Sequence, residues 1–517
     1  MRNALLEGLG GPVGRYARPA GLWFNPVPWS LVVATVTFLI LTLRQVPCIQ
    51  TSETEGVNAF IRLCYSDIPL AWTSQGLATG ALPFGGERML YPPVLGLLLL
   101  GVVMLARQLG APVDPGLSVQ AQLDGAQLFF SLSAVMLFVS FLAWVLCMAL
   151  LGRDSKQSRR HTWEGMWVAA SPVILASGLI SWDLLPIALT AFAMVHLSRG
   201  HLTEAGIVLG LAAGAGTMAI AVILAVAFAV GLRGTRRHLA AFSLGAALTF
   251  ATVNLPLVIY NWKIVTDFYF AEVTKDVQYG SLFFLGEVFG VRIRSAGVLG
   301  LLLTLLVLAM IASWIYLRGL RPRVGTLVAL FVFPTVLFGP AYPPQTGLWL
   351  LFALLLACPW PRVRLAFVVT QIAYWLAVWA YLAGHLTPGR SGNPNVYFLA
   401  LFLRVVVEAG IVVGCLRDVA HPSRDPLRAP DNPDPIGGVL NDTERAEPLK
   451  NPPPLGLAAA GGSVPDQLIA GGGGQADGDR NLVAHLDSRI GAADEQHRGV
   501  HVGRLGEGPL PAADAER

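Results

Sequence analysis

Residues 295–318 read SAGVLGLLLTLLVLAMIASWIYLR, an apolar run that meets no charge until Arg318. A helix of about 20 apolar residues crosses the hydrocarbon core of a bilayer. In lipid the backbone must satisfy its own hydrogen bonds, so a run of this kind spans as a helix. The pattern recurs on both sides, and candidate spans fall at 29–46, 92–109, 126–151, 163–181, 184–199, 203–232, 238–260, 295–318, 325–339, 345–359, 364–384 and 397–415. The 203–232 run is too long for one straight span. Gly210, Gly214 and Gly216 inside it predict two short helices that meet at a break.

Composition agrees with this pattern. Of 517 residues, 54% are hydrophobic and 13% charged, where soluble domains carry about 25% charged residues. A soluble globular protein is excluded. The expected fold class is all-α, a polytopic transmembrane bundle of about 11–13 membrane helices. The net charge of +4 sits mostly in loop Arg and Lys. It therefore reports topology and not nucleic-acid binding, and no nucleic-acid partner is expected. No Cys-x-x-Cys and no His/Cys cluster occurs, so neither a metal site nor a cofactor is expected.

The chain divides into an N-terminal tail (1–28), a membrane domain (29–416) and a C-terminal stretch (417–517). Basic clusters at Arg153–Arg160, Arg233–Arg237, Arg318–Arg323 and Arg362–Arg364 mark the cytoplasmic face. With the N-terminal tail also inside, residues 47–90 and 261–294 become extracytoplasmic loops of a plasma-membrane protein. Strict alternation fails once between residues 92 and 160. One span there is re-entrant, or one has been missed. The C-terminal stretch is rich in Pro, Gly, Asp and Arg without hydrophobic periodicity, and is expected to be a disordered cytoplasmic tail.

The outer loops collect polar groups that are costly near a membrane and so are candidates for function. Arg62, Cys64, Tyr65 and Asp67 stand in the first loop with Cys48, and a Cys48–Cys64 disulfide is plausible in an oxidising compartment. Tyr91 follows. Trp182 and Asp183 precede a span, Lys263 and Lys275 lie in the large loop, and Tyr342 and Gln345 flank a double proline. The functional reading is one cavity where these loops converge, with a carboxylate to deprotonate an acceptor hydroxyl. Plainer readings stand beside it. Interfacial Trp and Tyr form ordinary aromatic belts. Asp183 caps the helix that begins at Leu184, the Gly214–Gly216 run packs helices closely, and Asp67 is a solvated loop carboxylate.

Several of these pieces, in this order, resemble the actinobacterial GT-C-fold membrane glycosyltransferases grouped with the polyprenyl-phosphomannose-dependent mannosyltransferases (the GT87-like, DUF2029 group). They are Gly10 to Arg15, Cys48, Leu63-Cys64-Tyr65-Ser66-Asp67, Tyr91-Pro92, Ser181-Trp182-Asp183-Leu184-Leu185, Ala205-Gly206 through Gly210-Leu211, Pro344-Gln345 with Leu348-Trp349-Leu350, and Gly437-Gly438-Val439. The resemblance covers nearly all of 8–440. It implies a GT-C-like bundle with interfacial helices in the first outer loop. It also implies Asp67 as the base, a polyprenyl-phosphate sugar donor, and an envelope glycolipid or glycan as acceptor. Membrane lipids are the remaining expected partner. Three positions depart from the family pattern. Leu90 stands where the family has Glu, and Gly216 and Pro340 where it has lysines. A departing phosphate needs its charge neutralised in a poorly solvated site, so these departures leave two expectations. One is a sugar transferase, with mannose the expected sugar, that recruits other cations. The other is an impaired relative that binds polyprenyl-phosphate lipid or scaffolds envelope synthesis.

Overall fold

Asn25 opens the first membrane helix by accepting from the Val27 amide, and Pro26 takes the first helical position, where its missing N–H costs nothing. The result is α1, Pro26–Ile49, in a computed structural model that describes residues 25–52, 56–84, 91–151, 163–288, 290–291, 293–387, 392–425, 427 and 434–441. There follow α2 (Asp67–Thr73), α3 (Pro93–Gln108), α4 (Val119–Leu151), α5 (Glu164–Ala169), α6 (Pro172–Ser177), α7 (Leu184–Ser198), α8 (Leu202–Ala215) and α9 (Ala219–Arg233). Then come α10 (Arg236–Thr274), α11 (Leu282–Val288), α12 (Ala296–Leu317), α13 (Val324–Leu337), α14 (Thr346–Ala357), α15 (Pro361–Leu382) and α16 (Asn395–Ala420). No strand occurs among the described residues. Six helices, α1, α4, α10, α12, α15 and α16, are long and apolar enough to cross a membrane. The protein is an all-helical membrane bundle.

The expected break in 203–232 lies at Gly216, whose extended backbone separates α8 from α9. Hydrocarbon gives helices no hydrophobic reason to associate, so close backbone packing has to do so. Between α8 and α10 it is extreme. A β-carbon at Gly206 would stand 2.2 Å from the Phe242 carbonyl oxygen, and one at Gly210 would stand 2.4 Å from that of Ala246.

Loops gather at the two ends of the bundle. At one end are the first loop, the α6–α7 turn and the segments at 278–281 and 340–345. At the other, buried arginines meet carboxylates: Arg364 with Glu164 at 2.9 Å, Arg233 with Asp434 at 2.7 Å, and Arg323 with Asp425 at 2.5 Å.

Three expectations need correction. First, 92–109 is not a span. Ahead of α3, the Tyr91 hydroxyl donates to Gln75 Oε1 at 2.6 Å; behind it, the Asp114 amide donates to the Ala78 carbonyl at 3.1 Å. Arg107 near the end of α3 also donates to the Ala81 carbonyl. Both ends of α3 are fastened to the same loop, so the helix leaves the chain at the end where it began. The failed alternation between 92 and 160 disappears.

Second, residues 261–294 are not all loop. α10 continues to Thr274 through a kink at Asn261, and Tyr269 reaches back to Asn254. Third, 417–517 is not all a loose tail. α16 runs to Ala420, a 3₁₀ turn covers Pro422–Arg424, and residues 434–441 pack on the bundle with Ile436 and Leu440 buried. Asp434 does most of the anchoring, pairing with Arg233 and accepting the Val324 amide at 2.8 Å. Residues 1–24 and 442–517 lie outside the described residues, as does Leu90.

Candidate functional site

Asp67 is the first residue of α2, set there by Ser66. The Ser66 hydroxyl accepts from the Ile68 amide at 3.2 Å and donates to the Leu179 carbonyl at 2.6 Å. One bond caps the helix; the other fastens its N-terminus to the α6–α7 turn. The Asp67 amide then donates to the Ile180 carbonyl at 2.8 Å. A carboxylate in the first turn of a helix is also favoured by the helix dipole. Behind it the Cys48–Cys64 disulfide, with Cα atoms 5.8 Å apart, ties the loop to the end of α1. The pairing is as expected.

The Tyr65 hydroxyl donates to Asp67 Oδ1 at 2.8 Å, while its ring stacks on Phe60 and meets Trp379 edge-on. Tyr65 therefore orients the carboxylate and is itself held by aromatic packing. Tyr91 stands across the site. Its ring meets Trp182 edge-on at 5.7 Å, and burial together with the negative charge of Asp67 holds its phenol well above the ordinary range.

Asp183 follows the Ile180 carbonyl that holds Asp67 by three residues. It occupies the N-cap position of α7, as the plainer reading has it, but its side chain makes no capping bond. Oδ2 accepts from the Ser181 hydroxyl at 2.5 Å and Oδ1 accepts from the Trp349 indole N–H at 3.1 Å. Gln345 sits one turn ahead of Trp349 at the start of α14. Its Oε1 and the Trp182 indole N–H are buried without a partner among the described residues. The site thus carries one carboxylate oriented by a phenol, a second fixed by two donors, and an unpaired acceptor and donor.

Other expected residues are placed elsewhere. Tyr342 is 1% exposed and belongs to a buried cluster between α15 and α16, not to the mouth of the site. Its hydroxyl donates to Gln371, and the Arg404 guanidinium lies 3.3 Å above its ring. The physical reason is Arg404 itself, a buried cation that draws aromatic faces and the Gly280 carbonyl around it. Lys275 pairs with Glu272 at 2.7 Å, and Lys263 is exposed just beyond the α10 kink. Arg62 is exposed on the first loop.

The departures also find their places. A β-carbon at Gly216 would touch Pro186 at 3.0 Å and lie 3.8 Å from the Trp349 ring, so this position opens onto the Asp183–Trp349 pair. Pro340 contributes only its carbonyl, which accepts from the Gln278 amide.

Sequence reasoning missed Gln75 and Arg44. The first positions Tyr91. The second is a single arginine within the apolar run of α1, and its signal was that isolation. Trp349 is a landmark of the resemblance, and its bond to Asp183 makes it part of the site. Together, fold and site define a helical membrane protein with two carboxylates and an aromatic wall at one end of the bundle. No protein-family model and no curated protein matches the chain.

Proposed function

We propose that the protein is a membrane glycosyltransferase that moves a sugar, mannose in the first instance, from a polyprenyl-phosphate donor to an envelope glycolipid or glycan. The observation that carries this reading is the convergence of Asp67 and Asp183 on one end of the bundle. They are joined through the Asp67 amide and the Ile180 carbonyl, with Tyr91, Trp182 and Gln345 around them. Asp67 takes the proton of the acceptor hydroxyl as that oxygen attacks the anomeric carbon, and the donor leaves as polyprenyl phosphate. Tyr65 aims the carboxylate. Asp183 and the unpaired groups of Trp182 and Gln345 bind sugar hydroxyls, whose donors and acceptors they match. The aromatic rings offer faces to the sugar.

The test is transfer of radiolabelled mannose from its polyprenyl phosphate in membranes that carry the full chain. A general base contributes about 10²–10⁴-fold, so Asp67→Asn reduces transfer by at least 100-fold. Full transfer by that variant sinks the mechanism.

A second reading rests on Gly216 and Pro340, neither of which supplies a cation. An impaired relative would bind the lipid without transfer. It requires Asp67→Ala to rescue a deletion phenotype as well as the wild-type chain does.

A further inference from the structure

Four arginines buried in the bundle each face a carboxylate: Arg233 with Asp434, Arg323 with Asp425, Arg364 with Glu164, and Arg404 with Glu408. Arg44 faces none among the described residues. Its terminal nitrogen donates to the Ala176 carbonyl at 2.5 Å, and with the Gln45 amide turned to donate to Cys64, that nitrogen also reaches the Gln45 oxygen at 3.2 Å. The guanidinium lies 5.7 Å from the centre of the Trp375 ring, and its Nε is buried without a partner. A cation that meets only neutral acceptors and an aromatic face at this depth is costly to keep.

We infer that Arg44 binds the phosphate of a lipid-linked anion at the bilayer edge of the Asp67 site. Two independent paths place it there. The Ala176 carbonyl it holds, near the end of α6, is four residues before the Ile180 carbonyl that holds the Asp67 amide. Trp375, beside it, is one turn before Trp379, on which Tyr65 packs. The Trp375–Trp379 step along α15 is about one helical turn, roughly 5 Å, so Arg44 lies on the bundle side of Asp67 by about that rise. It also stands roughly one and a half turns from the end of α1, near headgroup depth. The side chain is only half-buried, and Ile40 and Leu43 beside it on α1 are 51% and 68% exposed, so its flank opens toward lipid. A planar guanidinium presents paired N–H groups to a phosphate.

The inference rests on the proposed transferase only for the identity of the lipid chain. Its test measures binding and not transfer. The full-length protein in nanodiscs is titrated with radiolabelled polyprenyl phosphate, with uncharged polyprenol, and with phosphatidylglycerol as competitor. A hydrogen-bonded charge is worth about 1.5–3 kcal/mol, so Arg44→Gln weakens polyprenyl phosphate at least ten-fold and leaves polyprenol unchanged. Arg44→Lys falls between the two. Phosphatidylglycerol competing on equal terms keeps Arg44 as a phosphate site but makes its occupant an ordinary phospholipid, which counts against the transferase reading alone. Unchanged polyprenyl phosphate affinity in Arg44→Gln overturns the inference, as does an equal loss of polyprenol. Should Arg44→Gln fail to fold, Arg44→Lys decides. A several-fold loss confined to the phosphate supports the site, and no loss overturns it.

Discussion

The Trp349 indole donates to Oδ1 of Asp183 across 3.1 Å, joining the start of α14 to the start of α7. Trp349 is 1% exposed and Asp183 half-buried, so the bond is partly shielded from water, which strengthens a hydrogen bond to a charged group. Trp349→Phe keeps the packing and removes the donor. About 1.5–3 kcal/mol of orientation is lost, and mannose transfer falls about ten- to a hundred-fold while the melting temperature moves little. Transfer equal to wild type would remove Asp183 from the site.

The C-terminal anchor responds to pH in a defined sense. Burial by itself raises the Asp434 carboxyl, but Arg233 and Arg323 and its hydrogen bonds pull it below its ordinary value. A depressed carboxyl contributes stability that is present above the unfolded value of about 3.9. That stability is lost as pH falls through the folded value. Proteolysis of 434–441 is therefore slow at neutral pH and accelerates only below about pH 3.9. At pH 7, Asp434→Asn leaves Arg233 buried without its counter-charge at a cost of about 3–5 kcal/mol. Equal protease resistance in that variant would argue against the docked segment.

Two glycines separate packing from propensity. Gly210→Val drives a side chain into the Ala246 carbonyl and costs at least about 1–3 kcal/mol by overpacking. Gly414→Ala in α16 meets nothing within 4 Å and raises stability by about 0.5–1 kcal/mol through helix propensity. Thermal unfolding in detergent reads both.

Loss of the Cys48–Cys64 bond releases a loop of sequence separation 16. A loop of this size is worth about 3 kcal/mol in the chain-entropy account. Cys48→Ser with Cys64→Ser lowers the melting temperature in oxidising buffer to that of the reduced wild-type protein. A drop confined to activity would mean that the bridge positions Asp67 without stabilising the bundle.

Much of the fold was legible because Leu, Ala and Val runs report helices in lipid directly. Gly210, Gly214 and Gly216 announced the α8–α9 break. The path of α3 was not legible, since 92–109 is as apolar as a crossing helix and only the ties from Tyr91 and Asp114 reveal its return. The docked tail was hidden for a related reason. Its composition is that of a loose segment, and two aspartates matched to buried arginines outweigh composition. At the site, Asp67 and Asp183 could be picked by type and location, but their partners could not. Tyr342 was misplaced although Arg404 and Glu408, four residues apart in an apolar run, signalled a buried charge pair. Arg44 is hidden because it stands inside a span, where the apolar run around it sets the reading.

The return of α3 to the loop end has an arithmetic consequence for the whole chain. Counting it as a crossing would put the start of α1 and the end of α16 in opposite compartments. Among the described residues the helices long and apolar enough to cross are six, an even number that leaves α3 out, and the chain after α16 meets the same end of the bundle as the anchored segment at 434–441. A reporter joined ahead of α1 and one joined after Asn441 then give the same signal, and that parity is decided by sixteen residues that never cross.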